Sequence, residues 1–418
     1  MKGKGSAARQ RGARKEEAMS RSGARWGAAL VVAALLAGAV AGCGAKEGGG
    51  SDAGSGTTQK EPYRVGVVVS LTGTYAGLGI PEKKAIELQR DAINANGGVN
   101  GHPIEVIFED DATDPAKAAA AASKLIEQDG VLAIIGATGT AQTMAMRAEV
   151  QRAGVPQVSM AGGSVITDQL DPLVFQTPWP NRIVVPFVLK AMARKGLTKV
   201  AVISDSGGYG KDGHAIIVKE APAAGVTIVA DETFNPGDTD MSSQLTKIRA
   251  AKPDAVLMWN AGKEAALIAK GMKQLGMTQP LFGGPGNGRK EFIQGAGDGA
   301  EGFRFAAGKI LVPSAYGTDT EAYKVATEFI DSYTAKYGES PDIFAGHAYD
   351  AFLIVVDALK RIEGDATPAK LRDAIEQTKG LVGVGGTFTY SPQDHNGLTE
   401  SELVLYRVEN GAWVLDEQ

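Results

Sequence analysis

From Tyr63 onward the chain alternates short runs of β-branched residues with longer, amphipathic, alanine-rich stretches. The run Arg64–Ser70 predicts a buried strand, and the helical spacing of apolar residues over Pro81–Asn94 predicts a helix after it. Further elements follow in the same alternation: Ile104–Glu109, Asp114–Gln128, Val131–Ile135, Thr140–Ala153 and Pro156–Met160. Strands that alternate with helices form parallel sheets with right-handed crossovers, so this half predicts one doubly wound lobe.

The same order starts again at Lys199. The predicted strands are Lys199–Ser204, Val226–Phe234, Ala255–Trp259, Pro280–Phe282 and Gly302–Ala307. The predicted helices are Lys211–Ala224, Met241–Ala251, Lys263–Leu275 and Arg289–Gln294. The remaining elements are helices Thr320–Tyr337, Phe344–Ile362 and Pro368–Lys379, a strand Thr387–Tyr390, and a hairpin of Leu403–Val408 and Ala412–Leu415 turned by Asn410–Gly411. The predicted fold class is α/β, with two doubly wound parallel-sheet lobes.

The N-terminus has the layout of an export signal. Basic residues precede an apolar stretch from Trp26 to Val40, which is short for a membrane span, and small residues lead to Cys43. A single cysteine at this point resembles the lipobox of bacterial lipoproteins, in which the cysteine is acylated. The alternative is an ordinary export signal with a chance cysteine. We therefore expect a signal peptide over 1–43, lipidation at Cys43, a flexible tether over 44–62, and an exported protein held to the cell membrane on its extracytoplasmic or periplasmic face.

Composition excludes several classes of partner. The net charge of −5 is small and scattered, so we expect no nucleic-acid partner. No later apolar run approaches membrane length, and we expect contact with the membrane through the N-terminal lipid alone. The 375 residues after Cys43, with 44% hydrophobic residues in the whole chain, suffice for two domains that fold without internal disulfides.

The loops that follow the predicted strands are the candidate ligand-binding segments, because ligands of open parallel sheets bind outside the carboxyl ends of the strands. The loops there are rich in small and hydroxyl residues: 70–77, 136–142, 159–164, 204–210, 260–262 and 283–288. The helix that begins near Thr140 directs its free N–H groups at this edge, which suits a carboxylate. The alternative is that these loops are tight turns of a glycine-rich protein.

Nothing in the sequence predicts an enzyme. The four histidines are not at metal-ligand spacing, and neither a nucleophile elbow nor a phosphate-binding loop is present. We expect His102, His347 and His395 to be structural or solvated. We therefore expect no catalytic residue, no cofactor and no metal site.

Several segments resemble the branched-chain amino acid (Leu/Ile/Val) binding family of ABC importers, which has the type I periplasmic binding-protein fold. These segments are 67–73, 91–101 with its Asn-Gly-Gly, 110–115 with its Asp-Asp-x-x-Asp-Pro, 135–136, 205–210 and 297–302. The resemblance implies a monomeric lipoprotein whose two lobes, joined by a three-strand hinge, close on a solute and deliver it to ABC permease subunits. It implies lobe one over 63–180 plus 310–387, and lobe two over 181–309 plus 388–418.

The resemblance also implies a pocket. Thr140 matches the hydroxyl that holds the ligand carboxylate, with help from the backbone of Ala141, and Tyr209 matches a tyrosine that reaches the ligand from lobe two. The other matching positions are Tyr75, Leu78, Ala161, Gly162, Gly163 and Phe344. Asn260 and Gly262 are also expected to bind the ligand, because they lie in the loop after the predicted strand Ala255–Trp259. Tyr209 could instead pack on its own helix, and Phe344 could be a core residue.

One departure from the family concerns the ligand amine. Amino-acid binders of this family carry an acid in the loop after the strand matched by Pro280–Phe282, but this loop reads Gly283-Gly284-Pro285-Gly286-Asn287-Gly288. A buried ammonium without a partner is costly, so either Asp205 or Glu264 meets it or the ligand has no amine. The expected ligand is a branched-chain or related amino acid; the alternative is an amine-free aromatic or aliphatic carboxylic acid. A ligand-sensing receptor subunit is a further alternative.

Overall fold

The computed structural model describes residues Lys60–Asp416. The expected signal peptide, Cys43 and nearly all of the expected tether lie outside the described residues. The described part belongs to one compact unit, Thr58–Gln418.

The first sheet is parallel throughout, with the strand order β2-β1-β3-β4-β5. Its strands are β1 (Tyr63–Val69), β2 (Ile104–Asp110), β3 (Ala133–Gly136), β4 (Gln157–Ser159) and β5 (Val174–Gln176). The helices between them are α1 (Ala76–Ala95), α2 (Pro115–Glu127), α3 (Thr140–Ala153) and α4 (Val165–Asp168). Six of the seven residues of β1 are buried, as its unbroken apolar run predicts for a central strand covered on both faces.

The second sheet begins after α5 (Asn181–Arg194). Its parallel strands are β6 (Lys199–Asp205), β7 (Thr227–Phe234), β8 (Ala255–Trp259), β9 (Leu281–Gly283) and β10 (Arg304–Ala307). The helices among them are α6 (Gly208–Glu220), α7 (Ser242–Ala251), α8 (Glu264–Gln274) and α9 (Lys290–Ala296). Every residue of β8 is buried, so the core of this half lies around that strand.

The chain then returns to the first sheet through α10 (Glu321–Tyr337), α11 (Ile343–Lys360) and α12 (Pro368–Glu376). Helix α11 packs on α1, where Gln89 Nε2 donates to the Tyr349 carbonyl at 3.0 Å. Two short strands, β11 (Leu381–Val382) and β12 (Thr387–Phe388), form a small antiparallel pair. The predicted terminal hairpin, β13 (Val404–Glu409) and β14 (Ala412–Leu415), joins the second sheet by antiparallel pairing of β13 with β10.

We call the first sheet with α1–α4 and α10–α12 lobe one, and the second sheet with α5–α9 lobe two. The chain passes between them three times, after β5, after β10 and after β12. These three passages place the ends of both sheets on either side of one cleft. The architecture is the predicted α/β fold with two parallel-sheet lobes.

The expected boundary between lobe one and the last segment of lobe two is at 388, but several residues beyond it still contact lobe one. The His395 ring stacks on Phe175 with centroids 4.2 Å apart, and its Nδ1 lies 2.9 Å from the Val174 carbonyl. Asn396 Nδ2 donates to the Pro178 carbonyl at 2.8 Å. These contacts favour a boundary near 399.

Two helices start earlier than their patterns predict. Helix α1 begins at Ala76 rather than Pro81, and Gly79 sits so close to the Ser70 carbonyl that an added Cβ would be 2.1 Å from its oxygen. Helix α6 begins at Gly208 rather than Lys211. In both cases the first turn is a glycine-rich loop whose helical conformation depends on tertiary packing.

Candidate ligand-binding site between the lobes

A cavity lies between the carboxyl-terminal ends of the two sheets. Lobe one and the first passage line it with Tyr75, Leu78, Thr138, Gly139, Thr140, Met160, Ala161, Gly162, Pro178, Trp179, Ile343, Phe344 and His347. Lobe two lines it with Val184, Tyr209, Ala261, Pro285, Gly286 and Ala307. The lining is mostly apolar and contains no carboxylate, so its chemistry depends on a few hydroxyl and ring atoms.

Thr140 is the first residue of α3, and its hydroxyl is the polar atom of lobe one best placed for an anion. The side chain is 3% exposed, and Oγ1 has no hydrogen-bond partner among the described residues. Gly163 makes room for it, because an added Cβ there would lie 2.3 Å from Thr140 Cγ2. Gly163 therefore does not line the cavity but allows Thr140 to do so. The free N–H groups of the first turn and this hydroxyl together suit a carboxylate.

Tyr209 lies in the first turn of α6 in lobe two. It is 6% exposed, its ring stacks on Trp259 with centroids 6.2 Å apart, and its hydroxyl has no partner among residues 60–416. Burial raises the pKa of Tyr209 well above its usual value, so the hydroxyl remains a donor at neutral pH.

The starts of α3 and α6 meet across the cleft. An added Cβ on Gly208 would lie 2.8 Å from the Ala141 backbone nitrogen. Ala141, expected to help bind the carboxylate, thus faces Gly208 and does not line the cavity. Two helix N-termini from opposite lobes therefore converge on one cavity. The start of α3 favours an anion there, whereas the Asp205 carboxylate already accepts N–H groups at the start of α6.

The apolar wall contains three of the expected residues. Tyr75, Leu78 and Phe344 line the cavity and are 6%, 1% and 6% exposed. Ala161 and Gly162 line it as well. All the ligand-binding residues expected in lobe one therefore line the cavity, except Ala141 and Gly163, which lie beside it.

The loop after β8 is placed differently from the expectation. Ala261 lines the cavity, whereas the expected Asn260 and Gly262 do not. Asn260 is fully buried and receives a hydrogen bond from Asn287 Nδ2 at 3.4 Å. Gly262 is pressed against Glu264, because an added Cβ would be 1.9 Å from Oε2. Asn260 and Gly262 hold the loop that presents Ala261.

Neither acid considered for a ligand ammonium lines the cavity. Asp205 Oδ1 accepts the Gly207 N–H at 2.7 Å, and Glu264 Oε1 accepts the Gly237 N–H at 2.6 Å. Both carboxylates are buried and serve backbone groups of lobe two. Burial raises the pKa of Asp205 to about 6.

A buried arginine stands next to this region. Arg289 is 5% exposed, its Nη2 donates to the Ala261 carbonyl at 3.3 Å, and its Nε has no partner among the described residues. It reaches toward lobe one, where an added Cβ on Gly77 would lie 2.6 Å from Nη1. Among residues 60–416, Arg289 is therefore one of three charged groups behind this part of the wall, since the carboxylates of Asp205 and Glu264 also act on Tyr75.

Sequence reasoning missed several lining residues. Thr138 and Met160 lie in strand-end loops already considered, and Thr138 is held by donating to Glu82 Oε2 and accepting the Ser70 N–H. Pro178, Trp179, Val184, Ala307 and Ile343 come from passages and helix starts that carry no local signal. His347, expected to be structural or solvated, also lines the cavity.

No cluster of three or more His, Cys, Asp or Glu side chains within residues 60–416 is arranged to hold a metal ion. None of the helices described there has the length and apolarity needed to span a bilayer.

Comparison with known proteins agrees with this geometry. The model of the periplasmic binding protein family matches residues 62–412. A Leu/Ile/Val-binding protein homolog of Brucella melitensis is 29% identical over 353 residues, covering 83% of this chain and 91% of that protein. A leucine-, isoleucine-, valine-, threonine- and alanine-binding protein of Pseudomonas aeruginosa is 27% identical over 317 residues, covering 75% and 82%.

Solved structures lead to the same family. An extracellular ligand-binding receptor from Rhodopseudomonas palustris superposes with a TM-score of 0.80 at 28% identity, covering 85% of this chain and 99% of that one. A branched-chain amino acid transporter substrate-binding protein from Streptococcus pneumoniae, in complex with isoleucine, gives 0.75 at 30% identity, covering 85% and 100%. The chain therefore belongs to the periplasmic binding protein family, with the type I fold of the Leu/Ile/Val-binding proteins.

Proposed function

We propose that this protein is the extracytoplasmic solute-binding lipoprotein of an ABC importer. It takes a small solute that has a carboxylate and an apolar body into the cavity between the lobes, and then presents the closed form to membrane permease subunits. The protein acts as a monomer anchored through a lipid on Cys43. The observation that carries the proposal is the meeting of two helix N-termini at a mostly apolar cavity, each with a hydroxyl that has no partner among the described residues.

The carboxylate binds Thr140 Oγ1, the Tyr209 hydroxyl and a free N–H group at the start of α3. Because these groups come from opposite lobes, a bound anion stabilises the closed arrangement more than an open one. The apolar body packs against Tyr75, Leu78 and Phe344, and burial of that body supplies most of the favourable free energy.

A branched-chain or related amino acid is the first candidate ligand. Its support is the printed names of the relatives together with an apolar wall that suits an aliphatic side chain. In this case the ammonium must be met by carbonyl groups of the lining loops, since the wall contains no carboxylate.

An amine-free aromatic or aliphatic carboxylic acid is the second candidate, and one observation favours it. The lining has no carboxylate to pair with an ammonium. A buried ammonium without an anionic partner would lose several kcal/mol of solvation.

The deciding experiment is calorimetric titration of the protein with leucine, valine, 4-methylpentanoate and benzoate. Binding of leucine or valine in preference to 4-methylpentanoate supports the amino acid assignment, and the reverse order supports amine-free acids. Thr140→Val serves as the site control, because it keeps the shape of the side chain and removes the hydroxyl. If none of the four solutes binds, and their hydroxylated analogues also fail to bind, the proposed function is contradicted.

A further inference from the structure

His347 lies in the wall of the ligand cavity without a polar partner for its Nδ1. It is on α11, one helical turn after Phe344, against which its ring packs edge-on with centroids 5.8 Å apart. The side chain is 7% exposed, and Nδ1 is buried with no hydrogen-bond partner among residues 60–416. A buried polar atom of this kind destabilises the protein unless something bonds to it.

The imidazole is neutral in this environment. Burial lowers the pKa of His347 to about 3, so the ring carries one N–H donor and one acceptor nitrogen at neutral pH. A neutral ring can form a hydrogen bond with a hydroxyl or a carbonyl group. It cannot form an ion pair with a second carboxylate or with an ammonium.

The polar groups of the cavity are divided between separate elements. Thr140 and Tyr209 stand at the starts of α3 and α6, while His347 belongs to α11 and adjoins Trp179. His347, Trp179 and Ile343 also border a small adjacent cavity that reaches Gly308 and Val384 on the later passages. The imidazole is therefore a second polar group in the cavity wall, and it lies on a different helix from the residues proposed to bind the carboxylate.

From this arrangement we infer that His347 is a specificity-determining residue that hydrogen-bonds a neutral polar group, a hydroxyl or a carbonyl, on the body of the carboxylate ligand. The inference rests on the proposed function and narrows its substrate class to hydroxy- or oxo-substituted acids. A ligand with a wholly aliphatic body would fill the cavity and leave Nδ1 without a partner. A site built to bond a hydroxyl discriminates strongly against the analogue that lacks it, because its own polar group is then left unpaired.

The experiment measures affinities for pairs of solutes that differ by one hydroxyl. Suitable pairs are valine with threonine, 3-methylbutanoate with 3-hydroxy-3-methylbutanoate, and benzoate with 3- and 4-hydroxybenzoate. In at least one pair the hydroxylated solute is expected to bind about 5- to 100-fold more tightly, as one satisfied buried hydrogen bond allows. His347→Phe should remove that preference, and His347→Gln, which still offers a donor and an acceptor, should retain part of it. His214→Asn, on the surface of α6, is the matched control and should behave like the unaltered protein.

The outcomes separate this inference from the proposed function. If carboxylates bind but no pair favours its hydroxylated member, the inference is overturned, while the solute-binding function stands. A preference that survives in both His347 variants also overturns it, because another group must then contact the hydroxyl. If no carboxylate of either kind binds the unaltered protein, both the inference and the proposed function fail.

Discussion

Gly208 of lobe two lies against Ala141 of lobe one, so closely that an added Cβ on Gly208 would be 2.8 Å from the Ala141 nitrogen and 3.0 Å from its Cβ. Each residue belongs to the first turn of a helix that points at the cavity. The contact therefore sets how far the two lobes can approach each other around a ligand.

Gly208→Val tests this contact. The larger side chain should prevent full closure and weaken ligand binding about tenfold or more, because inserting methyl groups into a tight contact costs roughly 1–3 kcal/mol. The melting temperature without ligand should change little, because Gly208 and Ala141 are not in contact when the lobes are open. Titration calorimetry and thermal unfolding check the two expectations. Unchanged affinity would show that closure does not bring these residues together.

Thr140→Val should have opposite effects on binding and on stability. It removes a hydroxyl that bonds the ligand carboxylate, and a hydrogen bond to a charged group contributes about 1.5–3 kcal/mol, so affinity should fall roughly 10- to 150-fold. It also removes a buried hydroxyl that has no hydrogen-bond partner among residues 60–416, so the free energy of unfolding should stay constant or rise. Thr246→Val, on the exposed face of α7, is the control. A variant that binds ligand normally would contradict the position of the anion site.

Asp212 makes a polar contact between the lobes. Its carboxylate, on α6, accepts the backbone N–H groups of Ser164 at 2.8 Å and Val165 at 3.1 Å, and Asn181 Nδ2 at 2.8 Å. Asp212→Ala leaves these donors unpaired in the closed form, so affinity should fall about 5- to 20-fold. Asp231→Ala, on the exposed strand β7, should leave affinity unchanged. Equal binding by the two variants would argue against a role of this contact in closure.

Asp205 should make stability depend on pH. Burial raises its pKa from 3.8 to about 6, so the folded protein holds this proton to a higher pH than the unfolded chain does. The contribution of Asp205 to folded stability is therefore lost as pH rises from about 4 to about 6, and the loss persists above that range.

Asp205→Asn removes this dependence and keeps an acceptor for the Gly207 N–H. The difference in free energy of unfolding between the variant and the unaltered protein should therefore be more favourable to the variant at pH 8 than at pH 4. The change in this difference is at most roughly 3 kcal/mol, for a pKa shift of about two pH units. Urea unfolding at both pH values measures this. The control is Asp240→Asn, because hydrogen bonds from Ser242 lower the Asp240 pKa, so that nearly all of its linkage to stability falls below pH 4 and its profile between pH 4 and pH 8 should parallel that of the unaltered protein. A pH profile of Asp205→Asn that parallels that of the unaltered protein would contradict the prediction.

Much of the fold could be predicted because local pattern and tertiary environment agree there. The unbroken apolar run of β1 becomes a central strand, and Asp114-Pro115 caps α2, where the Asp114 side chain accepts two backbone N–H groups. The strands that were not predicted are short ones such as β5, which has three residues. Helix α5 was also not predicted; it carries Pro186 in its interior, and eight of its residues are buried by contacts that its own sequence does not reveal.

For the site, the chain's own pattern determined that small and hydroxyl residues would gather at the carboxyl ends of parallel strands, because strand direction alone brings those ends to one edge. That was enough to place the loops that contain Thr140 and Tyr209 at this edge, while the roles expected of the two side chains came from the family resemblance. Which residue of a loop faces the ligand depends on how two lobes meet, and only the tertiary structure selected Ala261 over Asn260. It also brought His347 from a helix far along the chain into the same wall, since three passages between the lobes join segments that no local pattern connects.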